Sequence, residues 1–236
     1  MTIKSTLKNM AEGLGLHVTR QSQNPMQTLL GLRAIPFRSI FDVGANEGQF
    51  ARFARGVFPQ ATLYCFEPTP QAYEKLANWA EADGNVVAAN LALGDSPGKC
   101  EINLHSDHTP SSSLLETTGM SHAIYPVTAH QRKVDVRIER LDDFVAGLPQ
   151  SPAAEMLLKL DVQGFEAPVL RGATRVLSQV RACIAEVCLD DLYQGQSSFK
   201  EVSDLAHAAG LRYAGNLNQA YGTDGHVIYL DALFIR

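Results

Sequence analysis

The residues best suited to chemistry in this sequence follow apolar runs of strand length. The first run leads into the turn Phe41-Asp-Val-Gly-Ala-Asn-Glu-Gly48, ahead of a helical pattern. Gly44 would let the backbone approach a ligand without a Cβ atom, Asn46 tolerates the left-handed conformation of a tight turn, and Gly48 permits close packing of a helix on a strand. The segment predicts a ligand-binding turn, although many such turns are only tight connections.

The charge around this turn indicates which ligand it could take. Asp42 and Glu47 flank the turn, and its glycines are four residues apart rather than in the Gly-x-Gly-x-x-Gly pattern that seats a pyrophosphate on a helix N-terminus. Two carboxylates would repel a pyrophosphate, but they suit the sulfonium and the amino group of S-adenosylmethionine. The pattern therefore favours this methyl donor over a dinucleotide.

Two later segments could complete a nucleoside site. Glu67 ends the second predicted strand 23 residues after Gly44, where Rossmann-like domains place an acid that binds ribose hydroxyls, and Pro68 fixes the turn behind it. Asn90 and the segment that contains Ala92 follow the third strand and could pair with the adenine edge. Taken alone, an acid that ends a strand is more often a helix cap, but the ordered combination favours the nucleoside site.

Two carboxylates are candidates for the reacting centre. Asp161 follows a buried predicted strand and could act as general base for an acceptor hydroxyl, or bind a divalent cation that lowers the pKa of that hydroxyl. Its alternative role is to cap the helix predicted from Glu166. Glu186 ends the next strand, so topology places it at the same rim, where the pair could serve as base, metal ligands or partly as cofactor ligands.

The stretch 94–130 is rich in Ser, Thr, His and Pro and is too long for a plain connection, so we expect a long active-site loop there. Histidine titrates near neutrality, so His108 could act as a base, or it could simply be solvated. Ser111, Ser112 and Ser113 could hydrogen-bond a polyhydroxylated acceptor, or could form only a flexible turn.

From Ser39 onward, strand-length apolar runs alternate with amphipathic segments, which is typical of a parallel sheet with crossover helices. Residues 1–35 have a loose helical pattern and predict a helical cap, and 36–236 predict a single α/β domain. The predicted strands are 39–43, 62–66, 86–91, 134–138, 156–161, 182–187, 211–214 and 227–235, and the predicted helices are 48–58, 70–82, 166–177 and 199–209.

Composition excludes several classes of function. With 236 residues, 45% of them hydrophobic and 19% charged, the chain is expected to form one globular domain. A net charge of −5 without a cluster of Lys and Arg argues against nucleic acid as a partner. The four cysteines lack CxxC spacing and are expected to be reduced, and the absence of a long apolar run predicts no transmembrane segment and a cytoplasmic location. The sequence leaves a homo-oligomer open.

With these motifs in order, the chain resembles the FkbM-type methyltransferases over about residues 38–236. The motifs are DVGANEG (42–48), CFEPTP (65–70), NLALGD (90–95), SSSL (111–114), KLDVQGFEAPVLRGA (159–173) and LDALFIR (230–236). The resemblance implies a class I, Rossmann-like α/β fold with a mostly parallel seven-stranded sheet, an antiparallel C-terminal strand and helices on both faces. It also implies S-adenosylmethionine-dependent O-methylation of a hydroxyl on a sugar, a polysaccharide precursor or a polyketide-like acceptor.

The resemblance assigns the turn after the first strand to the methionine end of the donor, Glu67 to its ribose, and Asn90 with Ala92 to its adenine side. The cofactor-binding candidates are then Asp42, Gly44, Ala45, Asn46, Gly48, Glu67, Pro68, Asn90 and Ala92. Two alternatives stay open: a non-catalytic module that binds the donor within a glycan-assembly system, and a nicotinamide-dependent oxidoreductase, which the missing Gly-x-Gly-x-x-Gly pattern disfavours.

Overall fold

The computed structural model describes residues 10, 13–14, 29, 31–105 and 109–236. The helical cap expected over 1–35 lies mostly outside these residues. Within that segment the structure describes a short 3₁₀ turn, Leu32–Ala34, and the buried side chains of Leu29 and Leu32. The cap therefore stays a prediction.

The described part of the chain alternates strands and helices. The strands are β1 (Ser39–Val43), β2 (Thr62–Phe66), β3 (Val86–Ala89), β4 (Ala92–Leu93), β5 (Gly98–Leu104), β6 (Arg132–Glu139), β7 (Met156–Leu160), β8 (Val180–Cys188), β9 (Arg212–Tyr221) and β10 (Val227–Ile235). The helices are α1 (Gln49–Val57), α2 (Pro70–Asp83), α3 (Gly119–Ile124), α4 (Leu141–Ala146), α5 (Glu166–Arg171), α6 (Thr174–Leu177) and α7 (Phe199–Ala208).

In the described residues, seven strands form the central sheet in the order β3-β2-β1-β7-β8-β10-β9. The pairs from β3 to β8 are parallel, and β10 is antiparallel to both of its neighbours. The predicted Rossmann-like sheet with an antiparallel C-terminal strand is confirmed. The strand order reverses between β1 and β7, and sheets of this kind bind ligands outside the carboxyl ends of the strands at such a point.

The two faces of the sheet are both covered. Every residue of β1 and β7 is buried, as expected for parallel strands between two layers of helices. Consecutive residues of β1 point to opposite faces, so that Ile40 packs with α1 and α2 while Phe41 packs with α5, α6 and α7. This packing fixes the carboxyl ends of the central strands, where the candidate site residues lie.

A second, smaller sheet corrects the expectation of an irregular stretch over 94–130. It has the order β4-β6-β5, and β5 pairs antiparallel with β6 from Gly98 opposite Ile138 to Leu104 opposite Arg132. The short helix α3 also lies in this stretch. The polar alternation of β5 is a weak strand signal, and its paired residues in β6 lie 28 to 40 positions away in sequence.

Other boundaries differ in smaller ways. The helix predicted over 166–177 is two helices, α5 and α6, separated by Gly172 and Ala173. Gly172 packs against the chain at Gly94, and a Cβ atom at position 172 would lie 1.9 Å from the carbonyl oxygen of Gly94. The third strand ends at Ala89 rather than at residue 91.

All four cysteines are free thiols, as expected. Within the described ranges, no helix has both the length and the apolar character that a membrane span requires.

Candidate active site

A cavity of about 510 Å³ opens at the switch point of the sheet. Its wall includes the turn after β1, the turn after β2, strand β4 and the carboxyl end of β7. Of the proposed cofactor residues, those that line it are Gly44, Ala45, Asn46, Glu67, Pro68 and Ala92. Asp42, Gly48 and Asn90 lie outside this lining.

The turn after β1 has the backbone that its residues predict. Gly44 and Asn46 have φ angles of +79° and +48°, in the left-handed region. Position 44 requires glycine because of a contact within the protein, however, rather than because of a ligand. A Cβ atom there would lie 1.9 Å from the carbonyl oxygen of Asp161, so Gly44 permits close contact between the ends of β1 and β7.

Gly48 has a different partner from the one expected. It precedes α1 with a φ of +87°, and a Cβ atom there would lie 3.1 Å from Cδ1 of Leu76 in α2. The glycine therefore allows a close approach of two helices rather than of a helix and a strand.

The two carboxylates that flank the turn are paired with lysines of the protein. Asp42 is fully buried, and its Oδ1 lies 3.6 Å from Nζ of Lys159. Burial raises the pKa of Asp42, and the Lys159 ammonium opposes that shift. Glu47 forms an ion pair with Lys75 at 2.6 Å. Neither carboxylate lines the cavity, so the acids expected to face the donor are not in its wall.

Glu67 is a rigidly held acid in the cavity wall. Its side chain is 5% exposed; Oε2 accepts a hydrogen bond from the backbone N–H of Asn46 at 2.8 Å, and Oε1 accepts one from the backbone N–H of Thr69 at 2.8 Å. Burial raises the pKa of the carboxyl. Oε1 also accepts a hydrogen bond from the hydroxyl of Thr69 at 2.5 Å. A carboxylate has about four acceptor positions, so Glu67 can still accept about one hydroxyl group of a ribose.

Asn90 braces the turn that carries Glu67. Its side-chain nitrogen donates to the carbonyl oxygens of Glu67 at 2.9 Å and of Pro68 at 3.0 Å. The amide nitrogen is therefore committed to the protein rather than to an adenine. Ala92 does line the cavity, together with Leu91 and Leu93, and these apolar side chains can face a flat base.

Two carboxylates that accept hydrogen bonds from the same side-chain amide lie at the carboxyl ends of β7 and β8. Asp161 Oδ2 accepts from Lys159 Nζ at 2.9 Å, and its Oδ1 accepts from Gln163 Nε2 at 2.6 Å. The same Gln163 nitrogen donates to Glu186 Oε1 at 2.6 Å, and Gln163 Oε1 accepts from the hydroxyl of Tyr193 at 2.6 Å. Gln163 thus holds Asp161 and Glu186 side by side, as the topology predicted.

The capping alternative for Asp161 is wrong. Its two oxygens are bound to Lys159 and Gln163, and the residue before α5, Phe165, makes no side-chain cap. The side chain of Glu166 hydrogen-bonds the turn before α5 instead: its Oε1 accepts hydrogen bonds from the backbone N–H groups of Val162 at 3.3 Å and Gly164 at 3.1 Å. Burial raises the pKa of Glu166 to about 7.

A third carboxylate, Asp231, reaches the same rim from the antiparallel strand β10. The register places Asp231 opposite Glu186 on β8. Burial, with the nearby charge of Asp161, raises the pKa of Asp231 to about 6. Burial and the charges of Asp161 and Asp231 also raise the pKa of Glu186 well above its usual value.

Sequence reasoning missed Lys159, Gln163 and Asp231. A lone charged residue within an otherwise apolar strand is the signal that could have found two of them, since Lys159 lies in the run Met156–Leu160 and Asp231 in the run Val227–Ile235.

The three serines have different surroundings. The buried hydroxyl of Ser113 donates to the carbonyl of Gln163 at 2.7 Å and accepts from the backbone N–H of Leu115 at 3.0 Å, so it braces the chain. Ser112 also lines the large cavity, whereas Ser111 lines a smaller one next to it. His108 lies outside the described residues, and its role stays a prediction.

The smaller cavity has a volume of about 290 Å³ and shares part of its wall with the larger one. Pro110, Asp161, Glu186 and Tyr229 line both. The remaining wall of the smaller cavity comes mostly from α3 and the chain after it and from the segment that follows β8, and Ser111, Gln163 and Cys188 complete it. The carboxylate pair therefore lies at the boundary between two spaces.

The residues that the structure describes include no group of three His, Cys, Asp or Glu side chains placed to hold a metal ion. At this rim Asp161 is engaged by Lys159 and Gln163, and Glu186 by Gln163.

The central sheet has one reversed strand, β10, and the cavity at its switch point is walled by the buried carboxylate of Glu67 and by apolar side chains. The solved structure of methyltransferase FkbM from Methylobacillus flagellatus has the same fold. It aligns with a TM-score of 0.53 at 12% identity, over 85% of this chain and 44% of that one. This chain thus spans less than half the length of that structure.

The family model of the methyltransferase FkbM domain matches residues 42–213. The chain belongs to the FkbM methyltransferase family, which confirms the resemblance seen in its motifs.

Two curated relatives have named activities. The chain is 27% identical over 217 residues to the 2-O-methyltransferase NoeI of Sinorhizobium fredii, covering 87% of this chain and 85% of that protein. It is 30% identical over 182 residues to the 31-O-demethyl-FK506 methyltransferase FkbM of Streptomyces tacrolimicus, covering 66% of this chain and 68% of that protein.

Proposed function

We propose that this chain transfers the methyl group of S-adenosylmethionine to a hydroxyl oxygen of a sugar, a polysaccharide precursor or a polyketide-like acceptor. The observation that carries the proposal is the position of Asp161 and Glu186, which line both cavities and are bridged by Gln163. The larger cavity would hold the donor and the smaller one the acceptor. The names of the two curated relatives, both O-methyltransferases, support the hydroxyl acceptor.

The residues of the larger cavity fit the donor. Glu67 retains acceptor capacity for the ribose, Leu91 and Leu93 offer apolar contact to the adenine, and the backbone turn of Gly44 and Asn46 can face the methionine part. The acids that line this cavity, rather than Asp42 or Glu47, would face the positive sulfonium. When bound, the donor supplies a methyl group that passes to the acceptor oxygen as the carbon–sulfur bond breaks.

The chain's own contribution is positioning and removal of one proton. Holding donor and acceptor in line supplies much of the acceleration in methyl transfer. An alcohol must also lose its proton, and we assign that proton to the carboxylate of Glu186, which lines both cavities and whose pKa is raised well above its usual value by burial and by the charges of Asp161 and Asp231. Asp161, ion-paired with Lys159, would orient the hydroxyl from the other side of Gln163.

Donor binding and methyl transfer test the proposal separately. Calorimetry should show that Asp161→Asn and Glu186→Gln bind S-adenosylmethionine within about 3-fold of the wild type. Transfer of labelled methyl to an accepted sugar or glycan should fall by about 10²–10⁴-fold, the usual contribution of a general base. Asp135→Asn, at an exposed acid of β6, is the matched control and should leave both unchanged.

Two results would contradict the proposal. Binding of NAD in place of S-adenosylmethionine would favour the oxidoreductase alternative. Unchanged methyl transfer in both carboxylate variants would show that neither Asp161 nor Glu186 acts as the base. Binding of the donor without transfer to any hydroxyl acceptor would favour the non-catalytic module.

A further inference from the structure

The charge of the smaller cavity is one-sided. Two carboxylates, Asp161 and Glu186, lie in its wall, and none of the described residues that line it is Lys, Arg or His. The nearby ammonium of Lys159 lines the larger cavity instead and is ion-paired with Asp42 and Asp161. An anionic group that entered the smaller cavity would therefore face like charges, with no cationic side chain among the described lining residues to pair with it.

The rest of the wall is both aromatic and hydroxylated. Tyr125, Tyr193 and Tyr229 contribute rings. The hydroxyl groups of Ser121 and Thr128 also lie in the wall, where they bond to each other and Thr128 donates to the carbonyl oxygen of Tyr125. Burial raises the pKa of Tyr125 and raises that of Tyr229 to about 12, so both phenols stay protonated at neutral pH and can donate hydrogen bonds. Such a wall suits a molecule with an apolar ring face and several hydroxyl groups.

The size of the cavity limits the acceptor to about one ring at the reacting end. At about 290 Å³ it lies just below the range of roughly 300–1,000 Å³ that holds drug-sized ligands.

We infer that the smaller cavity binds one hydroxyl-bearing ring of the acceptor and rejects acceptors that carry a carboxylate or a phosphate on that ring. The inference rests on the proposed function and narrows its substrate class. Juxtaposed like charges cost several kcal/mol at an interface, so an anionic acceptor should be used about 100-fold less efficiently than its neutral counterpart.

Matched acceptors test this selection. Initial rates with labelled donor would be compared for methyl glucoside, methyl glucuronoside and the methyl ester of that uronate, and for the corresponding galactose series. We expect the neutral glycoside and the ester to have a kcat/KM about 100-fold above that of the uronate. A uronate that is used as well as the neutral glycoside overturns the inference.

A second pair of variants tests the cause of the selection. Val127 lines the cavity and is 45% exposed, so Val127→Lys can add a cation at its wall without disturbing a core, and Val127→Gln is the neutral control of similar length. Val127→Lys should reduce the preference for neutral over anionic glycosides about 10-fold, and Val127→Gln should leave that preference unchanged. Equal preferences in the two variants overturn the electrostatic explanation.

Failure of this inference is distinguishable from failure of the proposed function. If the protein binds S-adenosylmethionine but methylates none of the neutral glycosides, the acceptor class is wrong and the donor site stands. If calorimetry detects no binding of the donor, the proposed function itself fails.

Discussion

Gly44 and Gly48 have nearly the same backbone but different surroundings, so they allow the effect of one contact to be measured. Their φ angles are +79° and +87°. A Cβ atom at Gly44 would lie 1.9 Å from the carbonyl oxygen of Asp161, whereas at Gly48 its nearest neighbour would be Cδ1 of Leu76 at 3.1 Å. Gly44→Ala must therefore move backbone, while Gly48→Ala need only displace the end of a flexible side chain.

The magnitude follows from two contributions. A left-handed backbone costs an L-residue about 1–2 kcal/mol, which applies to both variants. Overpacking adds about 1–3 kcal/mol where the neighbour must move, which applies to Gly44→Ala. We expect Gly44→Ala to lower the free energy of unfolding by about 2–5 kcal/mol and Gly48→Ala by about 1–2 kcal/mol. The smaller conformational entropy of Ala in the unfolded chain is common to both and cancels in the comparison.

Urea unfolding followed by far-UV circular dichroism measures this difference. Fluorescence is less suitable, because the chain has one tryptophan and a Cβ atom at Gly48 would lie 3.4 Å from the ring of Trp79. Gly44→Ala should also weaken donor binding and transfer together, since the shift occurs between the donor turn and Asp161. Equal unfolding midpoints and slopes for the two variants would refute the role of the Asp161 carbonyl contact.

Three further changes test other parts of the site. Lys159→Met leaves the buried Asp42 carboxylate unpaired and should cost about 3–5 kcal/mol in urea unfolding, and adding Asp42→Asn should recover most of that loss; no recovery would contradict the pairing. The raised pKa of Glu166, about 7, makes the wild type less stable as pH rises from about 4.5 to 7, because the unfolded chain loses its proton first. Glu166→Gln should therefore gain about 3 kcal/mol over the wild type between pH 5 and pH 8 in thermal unfolding, and a difference independent of pH would contradict this. Tyr193→Phe removes the hydroxyl group that hydrogen-bonds the Gln163 amide and should lower kcat about 3–10-fold with the affinity for S-adenosylmethionine unchanged, as steady-state kinetics and calorimetry can show. A change confined to the affinity for S-adenosylmethionine would argue against this role of Tyr193.

The parallel core of the fold could be predicted because its strands are buried on both faces and bounded by Gly or Pro. The strands Ser39–Val43 and Thr62–Phe66 match the predicted ranges. The break between α5 and α6 was not predicted; it falls at Gly172, whose close contact with Gly94 joins residues far apart in sequence. Strand β5 was missed for a similar reason, since its pairing with β6 rather than its own pattern makes it a strand.

The position of the candidate site could be predicted from the sequence, but the charged partners of its residues could not. Asp161 and Glu186 were expected together because the carboxyl ends of parallel strands meet at one edge. The lysine partner of Asp42 lies on another strand, and the sequence gives no sign of that pairing. Asp231 reaches the rim only through the register of an antiparallel strand, which local pattern does not specify.

The wall between the two cavities is built from the side chains of Pro110, Asp161, Glu186 and Tyr229, each of which lines both. An inhibitor could therefore join an S-adenosylhomocysteine fragment to a neutral ring by a short tether that passes between these side chains. Linking two fragments makes the second binding step intramolecular and can raise affinity by about 10²–10⁴-fold when the tether matches the span. The best tether length in a series of such bisubstrate compounds would report how far apart the two occupants lie.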